Sequence, residues 1–226
     1  MINAHIHFGD SLIRGLADDR PLLGWLEDAA FPIYRHMTAE DVRVATLMGA
    51  VENIRGGATA VSDNVYIPND RAGFDAAFEA AAESGIRYKL VRGFVECGYT
   101  QEDLWEDFDV VINEIYRLHS AWHGKEDGRL RLDFGPNVHW GISGDNIIRL
   151  AELAKELGVG IHTHTAESQG ELELTLEPYG MRHLEWFTSL GVLDSNFQLA
   201  HSVWIDDQEI DQIAASGATV IHNPVS

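Results

Sequence analysis

At 226 residues and 45% hydrophobic, the chain can bury a substantial core, as one large domain or two small ones. With 36 acidic against 16 basic residues its formal charge is −20, which repels phosphate backbones and argues against a nucleic-acid partner. No apolar run is long enough to cross a bilayer, residues 1–20 lack a signal-peptide pattern, and the single cysteine, Cys97, rules out an internal disulfide, so a cytoplasmic protein is expected.

Strand-like and helix-like segments alternate along the whole length. The chain opens on an apolar run at Ile2–His7, read as a strand. Thr38 then caps a helix whose apolar stripe is Val44, Leu47, Met48 and Val51, ended by Gly56-Gly57. A strand follows at Ala58–Asp63, and Phe74, Ala77, Phe78 and Ala81 mark the next helix, before Gly85. Tyr88–Val95 is a third strand, and Leu104, Phe108, Val111, Ile112 and Ile115 define a longer helix. Leu130–Gly135 is a fourth strand, and Ile147, Leu150, Ala151 and Ala154 repeat the helical spacing up to Gly158. Val159–His164 and Phe197–Val203 are strands; Asp206 with Glu209 forms a capping box ahead of Ile210 and Ile213; Ala218–His222 is the last strand.

Strand alternating with helix implies α/β architecture with parallel strands and right-handed crossovers. About seven such strands are legible against the eight of a closed (β/α)8 barrel, so residues 1–226 read as one partial TIM-type barrel domain. A doubly wound sheet competes with it, but no glycine-rich phosphate loop follows the first strand. The strand ends carry His7, Asp63, Asn137, His164, His201 and Asn223, at the rim where such barrels place their chemistry.

Two His-x-His pairs dominate that rim. His5 and His7 share a strand face by alternation, and converging imidazoles suit a borderline divalent metal such as zinc, with iron as the alternative. In the second pair, His164 ends its strand three residues before Glu167, but alternation leaves His162 open. Glu167 is either a helix-start carboxylate or a general acid/base beside the metal. His201 is either a structural histidine or a group that orients water or stabilises developing negative charge. His222 leans structural; His36, His119, His123 and His183 are expected at the surface, and Cys97 as a small buried residue without nucleophilic character.

These residues, in this order, resemble the amidohydrolase superfamily, and within it the methylthioadenosine/S-adenosylhomocysteine deaminases and triazine chlorohydrolases. The matching stretches are Ile2-Asn3-Ala4-His5-Ile6-His7, Leu12-Ile13-Arg14-Gly15-Leu16-Ala17-Asp18-Asp19, Gly24-Trp25-Leu26, Gly135-Pro136, His162-Thr163-His164-Thr165-Ala166-Glu167, Leu199-Ala200-His201-Ser202-Val203-Trp204 and His222-Asn223-Pro224-Val225-Ser226. The resemblance implies a (β/α)8 barrel with a small β-sandwich, and one divalent metal held by His5, His7 and His164. It makes Glu167 the proton shuttle, His201 the partner of the attacking water, and Arg92 a substrate-facing arginine with a strand-end surface charge as its alternative. Tyr34 stands where the nucleoside deaminases carry a ribose-gripping glutamate, and Asn137 where they carry a substrate-contacting histidine; both shift the expected substrate from adenosine-type nucleosides to another small heterocycle.

The implied reaction is hydrolysis of a non-peptide carbon–nitrogen bond, deamination of an amino-substituted nitrogen heterocycle. Its alternatives are hydrolytic dehalogenation of a chlorinated heterocycle and a non-catalytic metal-binding fragment. The family's fourth ligand, an aspartate in a Thr-Asp-Gly context after the eighth strand, and the sandwich strands before the first His-x-His are both absent here. The chain is therefore expected to be a piece of a barrel that binds metal weakly and turns over poorly by itself. Neither a nucleic-acid nor a membrane partner is expected, and a homo-oligomer is compatible with the sequence.

Overall fold

The computed structural model describes residues 1–66, 70–98 and 102–224. Val225 and Ser226, which end the family-like stretch, lie outside the described residues. The chain forms two compact units, the first of Met1–Phe94 with Glu106–Leu132 and the second of Val95–Trp105 with Asp133–Ser226. Among the described residues no helix is long and apolar enough to cross a membrane.

In the first unit β1 (Ile2–Ile6) runs into a 3-10 turn at Phe8–Leu12, followed by α1 (Leu22–Trp25), a π-turn over Leu26–Ala30, and α2 (Phe31–Tyr34). There follow α3 (Ala39–Arg55), β2 (Ala60–Val65), α4 (Ala72–Ser84), β3 (Arg87–Phe94), α5 (Phe108–Trp122) and the single turn α6 (Lys125–Gly128). β1, β2 and β3 pair in parallel. β4 (Leu130–Pro136) starts in the first unit, where the Tyr88 N–H donates to the Arg129 carbonyl at 2.9 Å, and ends in the second. The second unit continues with α7 (Gly144–Leu157), β5 (Ile161–Thr165), α8 (Gln169–Tyr179), α9 (His183–Ser189), β6 (Phe197–His201), α10 (Asp207–Ser216) and β7 (Thr219–His222). β4 through β7 pair in parallel, each with the next.

All seven expected strands are present, and each crosses over to its parallel neighbour through helix, as strand–helix alternation requires. The first unit's core is an aromatic stack: Phe78 lies 5.9 Å from Tyr88 and 5.3 Å from Trp122, with Phe8 on the other side of Tyr88 at 6.2 Å. In the second unit Phe187 packs on Phe197 at 5.3 Å, and Ile147, Leu150 and Ala154 of α7 are fully buried.

Two helix faces differ from the sequence reading. α3 keeps its Thr38–Asp41 capping box but buries Val42, Ala45, Thr46, Gly49 and Ala50, leaving Val44 and Val51 exposed. The largest apolar side chains lose because α3 packs on the alanine-rich α4, and the small residues permit the closest helix–helix approach. In α10 the capping box also forms, yet Glu209 is fully buried and Ile210 is exposed. The Glu209 carboxylate accepts from Arg182 at 2.9 Å and from the Leu184 N–H at 3.3 Å, and those bonds turn the cap inward. The expected Leu104 start of α5 is a separate 3-10 turn, Glu102–Leu104.

Candidate active site

β1 carries His5 and delivers His7 as its first residue beyond the strand. The β1–β2 register shifts between Asn3 and Ile6, so one extra residue of β1 faces β2 there. A bulge of this kind re-aims the side chains on it, and the His5 and His7 rings meet edge-on at 4.9 Å. The His7 Nδ1 lies 2.9 Å from the Asn64 carbonyl. A carbonyl only accepts, so Nδ1 carries the proton and the lone pair sits on Nε2, which is the metal-binding tautomer.

Two carboxylates sit behind His7. Asp63 is buried, accepting from the Phe8 N–H at 2.9 Å and the Tyr88 hydroxyl at 2.7 Å. Burial raises it to about 6, against those hydrogen bonds and the nearby His7. Asp10 accepts from the Tyr34 hydroxyl, and burial raises its carboxyl too. Sequence reading placed Asp63 at a strand end but gave it no role, and Asp10 carried no signal.

In the second unit β5 carries His164 as its penultimate residue, whose N–H donates to the Asn137 carbonyl at 3.0 Å and whose ring Nδ1 faces the same oxygen at 2.7 Å. Its lone pair is again on Nε2. The His164 ring stacks on His201 at 5.4 Å, whereas His162, left open by alternation, is fully buried. His201 Nε2 is 3.3 Å from Glu167 Oε2. The Asn223 amide makes a long 3.4 Å contact to His201 Nδ1, which puts the His201 proton on Nε2, facing Glu167.

Burial, and secondarily Glu171, raises the Glu167 carboxyl to about 8. That value suits a group that gives and takes a proton near neutrality. Glu171, itself raised to about 7 by burial, accepts from the Glu167 and Ser168 N–H groups at 2.7 and 3.0 Å through Oε2. Its signal was in the sequence, as the fourth residue of a Ser168-x-x-Glu171 capping pattern. The corner is left-handed at three non-glycine residues: Ala166 (φ 47°), His201 (φ 73°) and Ser202 (φ 50°). Backbone strain of this kind persists where the surroundings over-determine it. Here the Ser202 N–H donates to Thr165 at 2.8 Å, and the Val203 and Trp204 N–H groups donate to Ala166 at 3.1 and 2.9 Å.

The remaining expected residues fall as follows. Arg92 is fully buried, so it is not a surface charge. Its guanidinium forms a bidentate pair with Glu106 at 2.7 and 2.6 Å and lies 4.6 Å over the Phe74 ring. Tyr34 is buried with its hydroxyl on Asp10. Asn137 orients His164 through its backbone, and its side-chain Oδ1 has no hydrogen-bond partner among the described residues. His222 is exposed, with its ring on the His201 carbonyl at 3.0 Å. Cys97 is half-buried and its thiol is raised to about 11, which removes nucleophilic character. The expectation of a surface His183 is corrected: it is fully buried, because its Nδ1 accepts the Ala166 N–H at 2.9 Å inside the second unit's core.

Residues 1–226 match the family model described as the amidohydrolase family. The chain is 35% identical over 225 residues to a 5'-deoxyadenosine deaminase of Methanobrevibacter smithii, covering 100% of this chain and 49% of that protein. It is 33% identical over 226 residues to a 5-methylthioadenosine/S-adenosylhomocysteine deaminase of Dictyoglomus thermophilum, covering 100% and 50%. Among solved structures, an atrazine chlorohydrolase from Arthrobacter aurescens TC1 complexed with zinc superposes with a TM-score of 0.91 at 23% identity, over 99% of this chain and 53% of that one. An adenosine deaminase from Xanthomonas campestris with bound zinc gives 0.87 at 26% identity, over 99% and 49%. The fold is thus a partial (β/α)8 barrel, and the chain spans about half the length of the relatives it matches.

Proposed function

The chain belongs to the amidohydrolase family, and from that premise we propose that it is the metal-binding part of a hydrolase that deaminates an amino-substituted nitrogen heterocycle. The observation that carries the reading is Glu167: a carboxyl raised to about 8, 3.3 Å from His201 Nε2 and three residues past His164. His5, His7 and His164 would hold one divalent ion, and the Nε2 lone pairs of His7 and His164 fit zinc or iron. Such an ion supplies Lewis-acid activation of water and a strong local positive charge.

The chain's own groups do the proton work. Glu167 takes a proton from the attacking water and returns it to the leaving ring nitrogen substituent, so that ring C–NH2 and water become ring C–OH and ammonia. His201 keeps its proton on Nε2, where it orients the water and donates to the oxygen that gains negative charge. The substrate reading rests on the deaminase relatives and on Tyr34 and Asn137. Tyr34 engages Asp10, and a phenol cannot supply the bidentate anionic grip that a carboxylate gives a ribose. In this reading Arg92 and Glu106 shape the substrate side as a pair.

The test is a zinc-supplemented panel of aminated heterocycles, adenine nucleosides and chlorinated triazines, scoring ammonia against halide release. Ammonia from the aminated heterocycles, abolished by chelator and reduced about 100-fold or more in Glu167→Gln, is expected. Halide release alone selects dehalogenation, and comparable turnover of adenine nucleosides overturns the substrate class.

A further inference from the structure

Two histidines outside that chemistry lie fully buried in the second unit, directly behind the Glu167 corner. The His139 and His183 rings are 3.7 Å apart, tilted by 38°. Burial keeps both neutral: it lowers His139 well below the usual histidine range and His183 to about 3.

Each ring commits one nitrogen. His183 Nδ1 accepts the Ala166 N–H at 2.9 Å, so its own proton is on Nε2. His139 Nε2 is 2.5 Å from Thr175 Oγ1, and the Thr175 hydroxyl donates to the Glu171 carbonyl at 3.0 Å. That hydroxyl can only accept from the ring, so His139 carries its proton on Nε2 and its lone pair on Nδ1. Among the described residues, His139 Nδ1 and His183 Nε2 have no hydrogen-bond partner. A buried acceptor and a buried donor left over in one ring pair carry a desolvation cost that two apolar side chains would not. Volume alone therefore does not account for them.

What the pair does supply is a fixed acceptor at a strained residue. Ala166 is left-handed (φ 47°) and immediately precedes Glu167, so any relaxation there swings the Glu167 carboxyl away from His201. His139 comes two residues after Asn137, whose carbonyl orients His164. The ring contact thus ties the segment that aims a proposed ligand to the segment that carries the proposed proton shuttle.

We propose that His139 and His183 are positioning residues: His183 holds Ala166 left-handed by accepting its N–H, and His139 braces the His183 ring. The functional consequence rests on the reading of Glu167 as proton carrier; the geometric one does not. The test is amide hydrogen exchange at Ala166, Glu167 and Ser168 in the 226-residue chain, with ammonia release measured alongside. His183→Asn keeps an acceptor near the Nδ1 position, whereas His183→Leu keeps volume and loses the acceptor. Exchange about tenfold faster in His183→Leu, with His183→Asn near wild type, is expected. The kcat should follow the same order while KM stays within about threefold. A packing role predicts the reverse order, and that result, or wild-type exchange in a folded His183→Leu, overturns the proposal. Should His183→Leu not fold, His139→Val is read by the same criterion, with faster exchange expected and unchanged exchange refuting. Glu167→Gln separates the two readings: full activity there removes the proton carrier and leaves the exchange result standing.

Discussion

Arg92 offers the sharpest physical test, because its surroundings make a strong prediction in which substrate plays no part. Its side chain is 0% exposed and that of Glu106 5%, and the two share bonds of 2.7 and 2.6 Å. Arg92→Met removes the cation and leaves the Glu106 carboxylate buried without its partner. Breaking a buried pair from one side costs about 3–5 kcal/mol, because the remaining charge keeps its desolvation penalty and loses its compensation. For a chain of this length that corresponds to a fall in Tm of roughly 6–20 °C, taking about 2–4 °C per kcal/mol. The double variant Arg92→Met/Glu106→Leu removes both charges and should recover most of the loss, since apolar replacements of buried pairs are often neutral or stabilising. Urea melts of the wild type, both single variants and the double variant close the cycle. A cost below about 1 kcal/mol for Arg92→Met would refute the buried-pair account. An Arg92→Lys variant of unchanged stability and raised KM would instead make the guanidinium a direct substrate contact.

Two further outcomes follow from the buried carboxyls and the tight helix contact. Glu167 and Glu171 are raised to about 8 and about 7 from an ordinary 4.5, so the folded chain holds their protons more tightly than the unfolded one. Their linkage term makes the metal-free chain most stable below about pH 4.5 and erodes that stability as pH rises towards 8. Urea midpoints between pH 5 and pH 8 should fall less steeply in Glu167→Gln; parallel slopes would show that Glu167 titrates normally. Gly49→Ala would raise stability by about 1 kcal/mol in an open helix. Here a Cβ would come within 2.6 Å of the Phe8 ring, next to His7, so a loss of about 1–3 kcal/mol is expected, and a gain in Tm would refute the contact.

The elements were legible because strand and helix periods are carried by long runs of side chains. All seven strands and the helices closed by Gly85 and Gly158 lie where the spacing and the left-handed glycine caps put them. The faces of α3 and α10 were not, because periodicity ranks residues by hydrophobicity, whereas packing selected small residues in α3 and a charge-paired glutamate in α10. Of the candidate site, the closeness of His164, Glu167 and His201 could be expected from their types and order at strand ends. Asp10 and His183 could not, since each takes its character from a neighbour distant in sequence: Tyr34 for the one, and the Ala166 amide for the other.

The least legible feature is also the one that sets the geometry around Glu167. None of Ala166, His201 and Ser202 is a glycine, and each costs of order 1–3 kcal/mol in the left-handed region. Nothing in residue type announces this, because the strain is imposed from outside the three residues. Three N–H groups, those of Ser202, Val203 and Trp204, reach back from the end of β6 to the carbonyls of Thr165 and Ala166, while His183 takes the Ala166 N–H from the other side. At a typical net worth of about 0.5–1.5 kcal/mol each, four such bonds offset most of the strain of three residues. The corner is therefore balanced on its hydrogen bonds. Removing a single acceptor should move Glu167 while leaving the strands that carry it intact.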